Sequence, residues 1–179
     1  MRVLVSTLLS LWLPVQVAFA DEDLAEKRMR VAKTIMLELN AGARDVTQVP
    51  EFYVDDVVYV DPLVKIEGME PMQNYFDNLN KISNEFTMEL LNVFVQGDDY
   101  MMYWKAEVSF DMGWFYKPQN LTYDGVSLLR FKPESARVWF QQDFYDHSNV
   151  LEFMPVVGPQ VRFAKKQMIK VMMKDEQAD

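Results

Sequence analysis

A chain of 179 residues and 21.0 kDa, half of it hydrophobic and 13% aromatic, has the length and composition for one ordinary domain with its own core, which excludes wholesale disorder. Its net charge of −9, from 18 Lys and Arg against 27 Asp and Glu, repels a phosphate backbone and argues against nucleic acid as a partner. With no cysteine and one histidine, His147, a disulfide scaffold, a thiolate metal site, a Cys nucleophile and a multi-histidine centre are excluded.

Arg2 precedes an apolar run over 3–17 that is interrupted by small polar residues and Pro14, and Ala18-Phe19-Ala20 then leads into Asp21-Glu22-Asp23. This is the layout of a cleaved signal peptide, residues 1–20, with an exported (periplasmic or secreted) mature chain starting at Asp21. The run is shorter than the ~20 residues a membrane span needs. The mature chain is then read as one domain over 21–154 and a separate C-terminal helix and tail over 155–179.

Leu24, Arg28, Val31, Ile35 and Leu39 recur at helical spacing and predict a first helix over 21–40. Asp45 is placed to cap a short second helix running to Tyr53. Val57-Val58-Tyr59-Val60 reads as a strand ending at Asp61-Pro62, because proline cannot donate into a ladder. Gly68 precedes a third helix over 69–79 with Met72, Tyr75, Phe76 and Leu79 on one side. The period then changes to two, and strands are expected over 85–96, 100–111, 121–131 and 137–146. In the second of these Tyr100, Met102, Trp104, Ala106, Val108 and Phe110 alternate with largely polar residues, so one face is buried. Helices followed by an antiparallel meander specify an α+β fold, a curved sheet wrapped around helices.

The run Tyr53-Val54-Asp55-Asp56-Val57-Val58-Tyr59-Val60-Asp61-Pro62, then Gly68 and Asn74-Tyr75-Phe76, resembles the NTF2-like superfamily in its SnoaL-like branch. The segments 124–131 and 143–146 fall where that branch has its last two strands. The resemblance implies a cone-shaped sheet that encloses an apolar pocket with three N-terminal helices, and a homodimer through the outer face of the sheet. It also implies, by similarity to ketosteroid isomerase, a general-base carboxylate at Asp61. That enzyme's oxyanion tyrosine and protonated aspartate fall on Leu37 and Ser127, so steroid isomerisation is not expected.

Asp61 shares a strand face with Val57 and Tyr59. It is either a desolvated base in a pocket or a strand-end carboxylate that caps the turn at Pro62. Asp143, near the end of the last strand, is either the second acid–base candidate, by resemblance to SnoaL-like cyclases, or a structural carboxylate in an ion pair or a hydrogen bond to the first helix. Tyr59, Tyr75, Phe86, Trp104 and Phe140 are candidate ligand-contacting rings. Asp143, Asp146 and His147 do not read as a metal site, because Asp143 and Asp146 alternate to opposite faces of a strand. No phosphate-binding glycine loop points to a nucleotide cofactor, and no cofactor is expected.

The C-terminal stripe Val161, Ala164, Met168, Val171 and Met172, with Arg162, Lys165, Lys166, Lys170 and Lys174 over the rest, predicts an amphipathic basic helix. It is either docked on its own domain or in contact with a membrane surface. Three functions follow from these features. The first is an exported SnoaL-like protein that binds a small hydrophobic molecule in an apolar pocket. The second is an isomerase-, dehydratase- or hydrolase-type enzyme using Asp61, with Asp143. The third is a non-enzymatic interaction module working through Trp114-Phe115-Tyr116 and the basic helix.

Overall fold

The computed structural model describes residues 13–39, 45–110, 119–152, 154 and 156–173. Helix α1 (Leu13–Thr34) runs on into a π-helical turn, Ile35–Leu39. A 3-10 turn (Val46–Gln48), capped by the Asp45 carboxylate accepting from the Thr47 N–H, leads into the short α2 (Val49–Phe52). Strand β1 (Tyr53–Val60) pairs with the three-residue β2 (Lys65–Glu67), and α3 (Met69–Ile82) follows. The meander is β3 (Ser83–Gln96), β4 (Asp99–Phe110), β5 (Gln119–Phe131) and β6 (Val138–Tyr145). Two helices close the described chain, α4 (His147–Glu152) and α5 (Gly158–Met172).

The α+β expectation holds: one six-stranded sheet has the order β2-β1-β6-β5-β4-β3, antiparallel except for the β1–β6 pair. One face carries the core. Met102, Trp104 and Ala106 of β4 form one cluster with Ile35, Met36 and Leu39 from the first helical segment and with Met72 and Phe76 from α3. Both helical stripes expected from the sequence face inward, as period-3.6 apolar rows must if they are to leave water.

Three features differ from the sequence reading. Strand β1 begins at Tyr53, four residues early, because an irregularity between Tyr53 and Val58 extrudes Asp55 and Asp56 to solvent. The Tyr53 carbonyl freed from the ladder accepts the Arg137 Nε and Nη2 protons at 3.0 and 2.8 Å. Strand β2 is too short to show a period. The first helix continues N-terminally across the Ala20–Asp21 bond. Residues 1–12 and Trp114-Phe115-Tyr116 lie outside the described residues, and among the described ones no helix is long and apolar enough to cross a membrane.

Arg28 ties α1 to the sheet. Its Nη1 donates to Asp98 Oδ1 at 2.7 Å in the β3–β4 turn, and its Nε and Nη2 donate to the Ser135 and Lys132 carbonyls at 2.8 and 3.0 Å in the β5–β6 connection. The guanidinium also lies 5.5 Å from the Phe131 ring centroid. A planar five-donor fork is the side chain that can hold two loops at once. Replacing it with a methionine of similar reach, Arg28→Met, should therefore cost about 3 kcal/mol, the scale of lost hydrogen bonds to a charged group. Urea unfolding with an unchanged m-value is the measurement.

Candidate functional site

The parallel pairing of β1 and β6 sets Tyr59 opposite Gln141, and from there Asp143 becomes the centre of a buried polar cluster. Tyr59 Oη donates to Asp143 Oδ2 at 2.9 Å, and Gln141 Nε2 donates to Oδ1 at 3.0 Å. Tyr53 Oη donates to Gln141 Oε1, which fixes the direction of that amide. Ser127, the register partner of Asp143 on β5, adds a hydroxyl and accepts the Trp104 indole proton at 2.9 Å. Burial pushes the Asp143 carboxyl above the usual carboxylate range. Hydrogen bonds from Ser127, Gln141 and Tyr59 pull it back, and the nearby Asp61 charge raises it.

Asp61 is also buried, but its two oxygens do different work. Oδ1 accepts the Leu63 and Val64 backbone protons at 2.6 and 2.8 Å, closing the turn around Pro62, while Oδ2 accepts the Tyr75 hydroxyl from α3. The turn cap and the inward-facing carboxylate, posed as alternatives by the sequence, are thus one residue. A carboxylate stripped of water without replacement is not what the structure holds, because three donors stand where that water would be. Lys65 pairs with Glu67 instead.

Aromatic rings surround the two acids. Tyr59 and Tyr75 lie with centroids 5.4 Å apart, and Phe76 is 5.9 Å from Tyr59. On the other side Trp104, Tyr123 and Tyr145 form a mutual cluster at 5.7, 6.2 and 5.4 Å. Trp104 can lie there because its cross-strand partner is Gly125: a Cβ at that position would sit 2.6 Å from the indole and 2.7 Å from the Phe144 carbonyl. Burial, aided by the Asp143 charge, pushes the Tyr123 phenol up to about 12. Tyr59, Tyr75 and Tyr145 are raised as well, burial being the largest cause in each. These phenols stay neutral, and Tyr59 and Tyr75 donate to the two carboxylates.

Of the rings named from sequence, Tyr59, Tyr75 and Trp104 flank the carboxylates, and Phe86 packs against the core from β3. Phe140 does not join them. It is an odd number of residues from Asp143, so it faces the outer side of the sheet, where the Arg130 guanidinium lies 5.3 Å from its centroid. Tyr53, Tyr123, Ser127, Gln141 and Tyr145 were missed. The same parity was the available signal, since Gln141 and Tyr145 alternate with Asp143 along β6. Asp146 is apart from this cluster, exposed and capping α4 by accepting the Ser148 N–H at 2.9 Å. Leu37 is exposed on the π-helical turn.

Tyr59→Phe keeps the ring and removes one donor from a buried acid. It should cost about 1–3 kcal/mol at neutral pH and move the Asp143 carboxyl further up, because the lost bond favoured the charged form. Urea unfolding and NMR titration of the Asp143 side-chain carbon check the two effects.

In fold, the chain is similar to a protein from Shewanella denitrificans OS-217 described as a SnoaL-like polyketide cyclase, with 20% identity, a TM-score of 0.60, and 69% of this chain and 93% of that one covered. It is likewise similar to an epoxide hydrolase of the LEH type from M. tuberculosis, at 13% identity and TM-score 0.57, covering 69% and 86%. A third similar structure is a hypothetical protein with a ketosteroid isomerase-like fold from Catenulispora acidiphila DSM 44928, in complex with trimethylamine, at 17% identity and TM-score 0.55, covering 69% and 88%. No curated protein matches the chain in sequence. The SnoaL-like domain model matches residues 36–139, more than half the chain and all of the site's polar residues except Gln141, Asp143 and Tyr145, and with the cone-type sheet and its helices this makes the chain a member of the SnoaL-like domain family.

Proposed function

We propose that this protein binds a small, mostly apolar molecule beside the Tyr59–Asp143 pair and transfers a proton to or from it, with Asp143 as the acid–base group. The observation that carries the reading is a buried carboxyl with a raised proton affinity, held in one orientation by Tyr59, Gln141 and Ser127. A general acid–base group works best when its proton affinity lies near the working pH, and burial moves a carboxyl in that direction. Asp61, committed to its turn and to Tyr75, serves as the second polar anchor. The ring cluster of Trp104, Tyr123 and Tyr145 supplies apolar contact. The similar epoxide hydrolase and the protein described as a polyketide cyclase fit a reaction class in which a carboxyl moves a proton at a small organic substrate.

The test begins with native mass spectrometry of protein purified from its own compartment, to identify the bound molecule. Asp143→Asn should retain that molecule and convert it about 10²–10⁴-fold more slowly. Conversion at the wild-type rate would remove Asp143 from the chemistry. The variant also has a pH signature. A folded carboxyl with raised proton affinity contributes stability that is fully present below about pH 3.8 and lost as the pH rises through the folded value. The difference in melting temperature should therefore shift in favour of Asp143→Asn between about pH 4 and about pH 8.

Export and self-association belong to the same proposal. The signal pattern before Asp21 supports export. An apolar outer sheet face supports a homodimer: Phe94, Met101 and Leu128 align across three strands, and beside them Tyr103, Val126 and Phe144 do the same. Phe94, Met101 and Phe144 are exposed. Intact mass of the exported protein should give a chain beginning at Asp21, and sedimentation equilibrium at micromolar concentration should give twice that mass. A chain beginning at Met1, or a monomer, overturns the respective half.

A further inference from the structure

Helix α5 leaves its apolar side in water. At 3.6 residues per turn, Val161, Ala164, Met168, Val171 and Met172 fall within an arc of about 100°. Met168, Val171 and Met172 are 62%, 72% and 71% exposed, and Gly158 is the one buried residue among those described in the helix. The docking that the sequence allowed is confined to the helix start. Gly158 packs so closely on Glu152 that a Cβ would lie 2.1 Å from its carbonyl oxygen. Arg162 donates to that carbonyl, and Lys165 pairs with Glu152 and reaches Asp146 at 3.8 Å.

The charge is of one sign. No acid occurs in α5, while Arg162, Lys166 and Lys170 occupy an arc of about 80° opposite the apolar stripe, flanked by the exposed Ile169 and Phe163. Among the described residues neither Lys166 nor Lys170 makes an ion pair. A partner for this helix must therefore offer an apolar seat and negative charge together. The stripe itself is aliphatic and methionine-rich, without the Trp, Tyr or Arg anchor that marks the centre of a specific protein interface. Flexible thioethers adapt to an irregular or fluid surface. The helix is about 22 Å long, so its far half lies roughly a Debye length from the acids of α4, and the negative body does not cancel the attraction.

We propose that α5 is a lipid-surface helix, which lies flat on an anionic bilayer with Ala164, Met168, Val171 and Met172 in the acyl boundary and Lys166 and Lys170 among the headgroups. The test is co-sedimentation of the full chain with vesicles of phosphatidylglycerol and phosphatidylcholine against vesicles of phosphatidylcholine alone. Wild type should sediment with the anionic vesicles and be released by salt. Lys166→Glu/Lys170→Glu should bind at least about tenfold less, each basic residue near an anionic surface contributing an appreciable share. Met168→Gln/Met172→Gln should lose binding as well. All four positions are exposed, so both variants should melt as wild type does, and any contribution of residues 1–20 cancels in the comparison. Wild type that ignores anionic vesicles, or variants that bind as wild type does, overturn the proposal. So does a methionine variant that keeps lipid binding but turns a dimer into a monomer, since that assigns the stripe to a second copy.

Discussion

The pairing of β1 with β6 is the constraint on which the site depends. These strands are more than eighty residues apart at the contacts that matter: Tyr53 reaches Gln141 and Tyr59 reaches Asp143. Parallel neighbours cannot be joined by a tight turn, and here α3 and the whole of β3–β5 form the crossover. Because side chains alternate, a register slip of one residue would send Tyr59 to the outer face and leave Asp143 buried without its phenol. The Tyr53–Val58 irregularity and the Arg137 bonds to the Tyr53 carbonyl hold β1 against such a slip at one end. The turn capped by Asp61 holds it at the other. One carboxylate thus fixes the strand that delivers the hydroxyl to the other.

Curvature follows from a second local condition. Trp104 lies across Gly125, where β5 has no side chain, and its indole proton then falls on Ser127. Ser127 in turn bonds Asp143. The sheet bends around this indole instead of packing flat, and Tyr123 and Tyr145 close against it. Arg28 performs the matching task on the helical side, since it joins α1 to the two connections at one end of the sheet. Core and site are therefore not separable layers: Trp104 belongs to both.

What could be read from the sequence was whatever repeats locally. The alternation of β4 and the 3.6-residue stripes of α1 and α3 identify elements, their buried faces and the α+β class, because burial imposes those periods directly. The family resemblance supplied the cone and drew attention to Asp61 and Asp143. Neighbour relations across the chain were not legible. Nothing in Tyr53 or Gln141 alone marks them as a pair, and the β1–β6 register is a tertiary fact. Phe140 was misplaced for a simpler reason, since parity against Asp143 already puts it on the other face. The openness of α5 was also invisible, because an amphipathic stripe looks the same whether or not something covers it.

The kind of donor, and not the number, distinguishes the two carboxylates. Asp61 accepts from two backbone N–H groups and a phenol, whereas Asp143 accepts from three side chains. Tyr75 gives its single proton to Asp61, and Tyr59 gives its own to Asp143. The two rings lie 5.4 Å apart, centroid to centroid. Burial raises the proton affinity of Asp143, whose donors are all side chains, so the proposed acid–base role rests on Asp143 and the proposed anchoring role on Asp61.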